Sequence, residues 1–216
     1  MVERGRAALV IGLCVAGFAA LAAAGDGLAG FDRGLLIGLR SATDLSDPLG
    51  PAWLEEAARD VTALGGTAFL SLVTAAIATI FLANGQWRLA SFAAVSVIGA
   101  TAASETLKAL ILRPRPDLVP HEVAVYSASF PSGHSMLAAA AFFTLAFALA
   151  REFDRRRNRV FLYVIAAVAT FLVGASRVYL GVHWPTDVLA GWLAGIAWAV
   201  GAAFVYRRLT HAEARD

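Results

Sequence analysis

The chain has 216 residues, of which 59% are hydrophobic and 16% charged, and its mean hydropathy is +0.67. A soluble domain carries about 25% charged residues, so this chain lacks the polar groups to cover a water-facing surface. That composition excludes a soluble enzyme, a disordered tail and a nucleic-acid-binding domain, and a formal net charge of +2 gives no reason to reconsider.

A bilayer accepts an apolar exterior, and each spanning helix needs about 20 residues. Apolar runs with few or no charges fall near Ala7–Ala24, Thr67–Ala83, Leu89–Leu107, Met136–Ala150, Val160–Ala175 and Val188–Tyr206. The expected fold is therefore all-α, a six-transmembrane-helix bundle forming a single integral-membrane domain over residues 1–216. Arg4 and Arg6 followed by an apolar stretch have the layout of a signal peptide, and the first helix is read as a retained signal anchor. Cys14, the single cysteine, excludes a disulfide framework and reads as a small buried hydrophobe. Abundant Ala, Gly and Ser suit close helix packing in lipid.

Between the first two spans, Gly25–Gly66 is too long for a turn. Trp53, Ala57, Val61 and Leu64 recur there at helical spacing, with Pro51 placed for a first turn. Two readings stay open: an amphipathic helix lying on the membrane surface, or a loop helix packed on the bundle. The fourth run is short for a span and is expected to borrow Ser132–Ser135, which puts its first turn at the membrane surface.

Basic residues set the orientation. With six spans, eleven lie on one side, including Arg151, Arg155, Arg156, Arg157 and Arg159, and seven on the other. Both termini are thus expected in the cytoplasm. Three polar clusters fall on the opposite side: Lys108 with Arg115-Pro116, then Pro131-Ser132-Gly133-His134, then Ser176-Arg177 with His183 and Asp187. Ionisable residues at one membrane level mark a functional site.

The chemistry these residue types suggest is phosphoryl transfer without a metal. Lys108, Arg115 and Arg177 supply three positive charges for phosphate oxygens, and Ser132 and Gly133 open a helix whose free N–H groups attract anions. His183 is a candidate nucleophile, Asp187 its orienting partner, and His134 the general acid for the leaving oxygen. Arg113 alone reads as a solvated interfacial residue, and His121 and His211 as surface residues.

Lys108-(six residues)-Arg115-Pro116, Pro131-Ser132-Gly133-His134 and Ser176-Arg177-(five residues)-His183-(three residues)-Asp187 together resemble the three-part signature of the type 2 phosphatidic acid phosphatase superfamily. The motif region is Lys108–Asp187, and the span pattern extends the likeness over nearly the whole chain. The resemblance implies a bacterial inner-membrane lipid phosphatase whose site faces the periplasm. It implies His183 as nucleophile through a phosphohistidine, Asp187 as its partner and His134 as acid. Lys108, Arg115, Ser132, Gly133 and Arg177 are implied as phosphate ligands, with no metal or other cofactor. Implied substrates are undecaprenyl pyrophosphate, phosphatidylglycerophosphate or phosphatidic acid, and the bilayer is the implied partner. A phosphotransferase passing the group to a lipid or sugar acceptor, and a lipid transporter without turnover, are the alternatives. The intact His183–Asp187 pair speaks against the transporter, since anion binding alone needs neither.

Overall fold

The computed structural model describes residues 2–119 and 127–213. His121 and the His211 side chain lie outside the described residues. Eight α-helices are described: α1 (Val2–Ala24), α2 (Ala29–Gly38), α3 (Ala52–Ala63), α4 (Thr67–Ala83), α5 (Trp87–Ile111), α6 (Gly133–Ala150), α7 (Arg156–Tyr179) and α8 (Pro185–Glu213). A 3-10 turn, Gly25–Leu28, joins α1 to α2. Helices α1, α5, α6, α7 and α8 are long and apolar enough to cross a membrane. A sixth candidate span is the pair α3 and α4, which meet at a 53° bend and pass the same test only together. The chain is an all-helical membrane protein.

Helix α6 is the axis of the bundle, with 78% of its residues buried and α4, α5, α7 and α8 packed around it. Its sequence is apolar on every face, as a fully surrounded helix requires. Ala138, Ala139, Ala140 and Ala141 are all buried and let neighbours approach closely. Outward faces of the other helices carry exposed Leu13, Leu72, Ile98 and Phe171, as contact with lipid tails demands. At the centre, Ser96 Oγ and Thr144 Oγ1 pair at 3.0 Å and the Trp198 indole N–H donates to Ser96 O at 2.9 Å. These bonds satisfy polar groups that lipid could not.

The closest helix contact is between α6 and α8. A Cβ on Gly191 would stand 2.7 Å from Ser132 O, and one on Gly195 would stand 2.4 Å from Met136 O. Glycine at both positions is what lets the two backbones touch.

The Gly25–Gly66 segment holds two helices rather than one. The unexpected one, α2, presents Phe31, Leu35 and Ile37 outward and buries Asp32 and Leu36. Helix α3 does form where Trp53–Leu64 repeats, and it packs on α7. Its buried residues are Ala58 and Thr62, one position round from the expected stripe, while Trp53 stays 65% exposed. Pro51 caps this helix instead of lying in its first turn. The helix is packed on the bundle, as the second of the two readings expected.

Gly195→Ala should lower the melting temperature in detergent, with overpacking costs of about 1–3 kcal/mol exceeding the gain in helix propensity. Gly12→Ala, in α1 with open space around it, is the control and should not destabilise. Equal behaviour of the two variants would contradict the close α6–α8 contact.

Candidate active site

Three helix ends meet at one end of the bundle. Lys108 lies on the last turn of α5, and the helix stops four residues later when Leu112 turns left-handed (φ 48°) and donates its N–H to Lys108 O at 3.1 Å. Pro114 and Pro116 cannot continue a helix, so Arg113 and Arg115 are carried on extended chain. Helix α6 begins after Ser132, whose Oγ caps it by accepting from the Ser135 N–H at 3.4 Å. A Cβ on Gly133 would stand 3.0 Å from Lys108 Nζ, so glycine there lets the ammonium lie against the first turn of α6. The Ser132 N–H donates to Asp187 O at 3.0 Å and ties that turn to the start of α8.

Helix α7 ends with Arg177 in its last turn, and Gly181 (φ 72°) reverses the chain towards His183. Asp187 lies in the first turn of α8, where its Oδ2 accepts the Trp184 N–H at 2.9 Å, as a helix-capping carboxylate does. The same oxygen accepts from Ser129 Oγ and lies 3.5 Å from His183 Nδ1. On the other side of the ring, Arg115 Nη1 lies 3.1 Å from His183 Nε2. A guanidinium can only donate, so Nε2 is the bare nitrogen and the proton sits on Nδ1, facing Asp187. Burial pushes the His183 imidazole down to about 4, although the hydrogen bond to Asp187 pulls the other way. The ring is 1% exposed and neutral at physiological pH.

The three cations converge around this ring from separate elements. Arg115 is held by the Ser127 carbonyl at 2.8 Å and the Val182 carbonyl at 2.7 Å. Lys108 donates to Ser127 Oγ at 3.0 Å, with Glu105 at 3.8 Å. Arg177 is buried, donates Nη1 to Thr62 Oγ1 at 3.1 Å, and leaves its Nε without a hydrogen-bond partner among the described residues. His134, the second residue of α6, lies against the Gly65–Gly66 turn, where a Cβ on Gly66 would stand 3.8 Å from its Nε2. All eight expected site residues therefore gather at one end of the bundle.

Arg113 corrects an expectation. It is not a solvated interfacial residue: its side chain is 19% exposed and donates to Asp187 Oδ1 at 2.6 Å, Asp32 Oδ2 at 2.7 Å and Thr186 Oγ1 at 2.7 Å. Asp32, Ser129 and Thr62 were also missed. Asp32 had at most a weak signal, an acid followed by Arg33 and then by Leu35 and Leu36; Ser129 and Thr62 had none.

A helical membrane bundle that collects cations, histidines and a carboxylate at one end has the architecture of a membrane phosphatase. The chain belongs to the PAP2 superfamily, whose sequence model matches residues 89–210. It is 39% identical over 149 residues to phosphatidylglycerophosphatase B of Bacillus subtilis (strain 168), covering 67% of this chain and 71% of that one. An undecaprenyl-diphosphatase of Sulfolobus acidocaldarius is 37% identical over 67 residues, covering 31% of this chain and 28% of that one. The crystal structure of a transmembrane PAP2-type phosphatidylglycerolphosphate phosphatase from Bacillus subtilis superposes with a TM-score of 0.76 at 30% identity, over 93% of this chain and 96% of that chain.

Nitrogen NMR of labelled histidine should find the His183 ring neutral, protonated on Nδ1 and flat between pH 5 and 8. The resonance is assigned by its loss in His183→Gln. A His183 ring that titrates near 6.5 would contradict the buried Arg115–His183–Asp187 arrangement.

Proposed function

We propose that the chain is a metal-independent lipid phosphatase that works through a phosphohistidine on His183, with its site facing the periplasm and both termini in the cytoplasm. One observation carries the mechanism: His183 presents a bare Nε2 to the cations while Asp187 lies on its Nδ1 side. Phosphate oxygens would take the hydrogen bonds of Lys108, Arg115, Arg177 and the first-turn N–H groups after Ser132 and Gly133. Arg115 then gives up its bond to Nε2, freeing the lone pair. Nε2 attacks phosphorus in line, and the bond from phosphorus to the lipid oxygen breaks as His134 protonates that oxygen. Water attacks next, losing its proton to His134, and the phosphorus–nitrogen bond breaks to release phosphate. Asp187 balances the positive charge that the ring carries between the two steps.

A lipid as substrate is favoured by a cavity of about 880 Å³ between α1, α5 and α8. Its walls include Phe18, Val95, Leu107, Met136 and Trp198; Leu107 adjoins the site residue Lys108 in sequence, and Met136 lies two residues after His134. An acyl or isoprenyl chain laid there leaves its phosphate at the cations. The names of the relatives point the same way, to a phosphatidylglycerophosphate or an isoprenyl pyrophosphate. The sidedness rests on the excess of arginine at the Arg151–Arg159 end.

His183→Ala should abolish both turnover and acid-labile phosphate on the protein, whereas Asp187→Asn should lower the rate by up to about 10⁴-fold by favouring the wrong tautomer. His134→Ala should lose about 10²–10⁴-fold on a lipid and much less on an aryl phosphate, whose leaving group needs no proton. Phosphoenzyme trapped on His183→Ala would overturn the assignment. Activity should also persist in excess EDTA, because cationic side chains do the work of a metal. Loss on chelation with recovery on magnesium would contradict it. Reporter fusions at Asn158 and Val119 should report opposite sides, Asn158 cytoplasmic, and the reverse result would place the site in the cytoplasm.

A further inference from the structure

We propose that Asp32 and Arg113 are positioning residues for His183, forming with Asp187 an alternating charge chain that holds the carboxylate in place and leaves its charge available to the ring. The inference rests on the phosphohistidine reading above. Neither residue belongs to the three clusters that suggested the site, and neither touches the cations that would hold phosphate.

The geometry is specific. Asp32 is 0% exposed and uses both oxygens: Oδ1 accepts the Thr186 N–H at 2.9 Å, and Oδ2 accepts Thr186 Oγ1 and Arg113 Nη2, each at 2.7 Å. Arg113 spans two carboxylates with its fork, Nη2 on Asp32 and Nη1 on Asp187 Oδ1 at 2.6 Å. Asp187 is thereby fixed from both sides, Oδ1 by Arg113 and Oδ2 by the Trp184 N–H and Ser129 Oγ. With the carboxylate plane pinned, Nδ1 of His183 has one orientation in which to meet it. Asp32 is delivered by α2, whose other inward residue, Leu36, sits at 0% exposure in a cluster with Val119, Val178 and Val188.

Charge balance explains why two acids share one arginine. Arg113 paired with Asp187 alone would cancel the charge that must stabilise a positively charged ring. Asp32 takes up one unit of positive charge, so the three groups together remain at −1 beside His183. The other charged or titratable groups near that ring are Arg115, Arg177 of α7, His134 of α6 and Lys108 of α5, each of which opposes its protonation when itself charged. Asp187 is thus the group that favours the charged ring, and Arg113 and Asp32 set how strongly it does so.

The test compares Asp32→Asn, Arg113→Gln and Arg113→Lys with the intact protein in detergent, using a saturating aryl phosphate. Each is read by single-turnover phosphoenzyme formation, by KM, by inorganic phosphate affinity and by the pH profile. Asp32→Asn and Arg113→Gln should slow phosphoenzyme formation about 10–100-fold, with KM and phosphate affinity within about 3-fold of the intact protein. Their acid limbs should move in opposite directions. With Asp32 neutral, unopposed Arg113 disfavours the protonated ring and the limb falls to lower pH. With Arg113 neutral, two carboxylates favour the protonated ring and the limb rises. Simple loosening of the fold would move both the same way. Arg113→Lys keeps the charge but not the fork, so its limb should stay in place while its rate falls. If Asp32→Asn does not fold, the contrast between Arg113→Gln and Arg113→Lys decides the matter. Unchanged rates, limbs moving together, or rate and phosphate affinity falling in parallel would overturn the inference. Absence of phosphoenzyme in the intact protein would instead overturn the phosphohistidine reading on which it rests.

Discussion

The site depends on how closely α8 approaches α6. Lipid tails are as apolar as the helices, so no hydrophobic force draws two spans together, and packing has to do it. Gly191 and Gly195 let the α8 backbone lie on Ser132 O and Met136 O, where any Cβ would collide. That contact brings the first turn of α6 beside the first turn of α8, and the Ser132 N–H then reaches Asp187 O. The free N–H groups of one helix and the histidine–carboxylate pair at the start of the other are thereby set side by side. Widening the crossing by one methyl group would separate them.

Electrostatics at that junction are poorly compensated, and informatively so. Lys108 and Arg177 are both buried, yet Lys108 has an acid only at 3.8 Å and Arg177 has a threonine hydroxyl. Isolated buried charge is costly, and proteins leave it so where a ligand completes the balance. A phosphate dianion would supply the missing charge under the proposed function. The two buried acids, Asp32 and Asp187, are instead turned towards Arg113, on the side of His183 away from the bare Nε2. Cations with little acid to balance them stand on one side of the ring and acids braced by a cation on the other.

Much of this was legible in the chain. Five of the apolar runs locate the five long spans, and the sixth locates α4, because desolvation of the backbone in lipid permits little else. Ser132 and Gly133 were readable as the opening of a helix, and the three polar clusters meet because each sits at a helix end at the same end of the bundle. The failures share one cause: they depend on which side chains meet across the fold. Arg113 and Arg115 are two residues apart, a spacing that would put both on one face of a regular extended chain, yet one reaches the carboxylates and the other the ring. Asp32 meets Thr186 across 154 positions, and no local periodicity encodes that pairing. Helix α3 turned one position from its apolar stripe, and that rotation places Thr62 on Arg177.

The central claim is a double displacement at phosphorus, with His183 attacking first and water second. Each in-line step inverts the configuration at phosphorus, so two steps restore it. Hydrolysis of a lipid or aryl thiophosphate made chiral with oxygen isotopes, in isotopically labelled water, therefore tests the claim directly. Retention of configuration in the released thiophosphate is the result this account predicts. Inversion would mean that water attacks phosphorus in a single step, and that His183 is not the nucleophile.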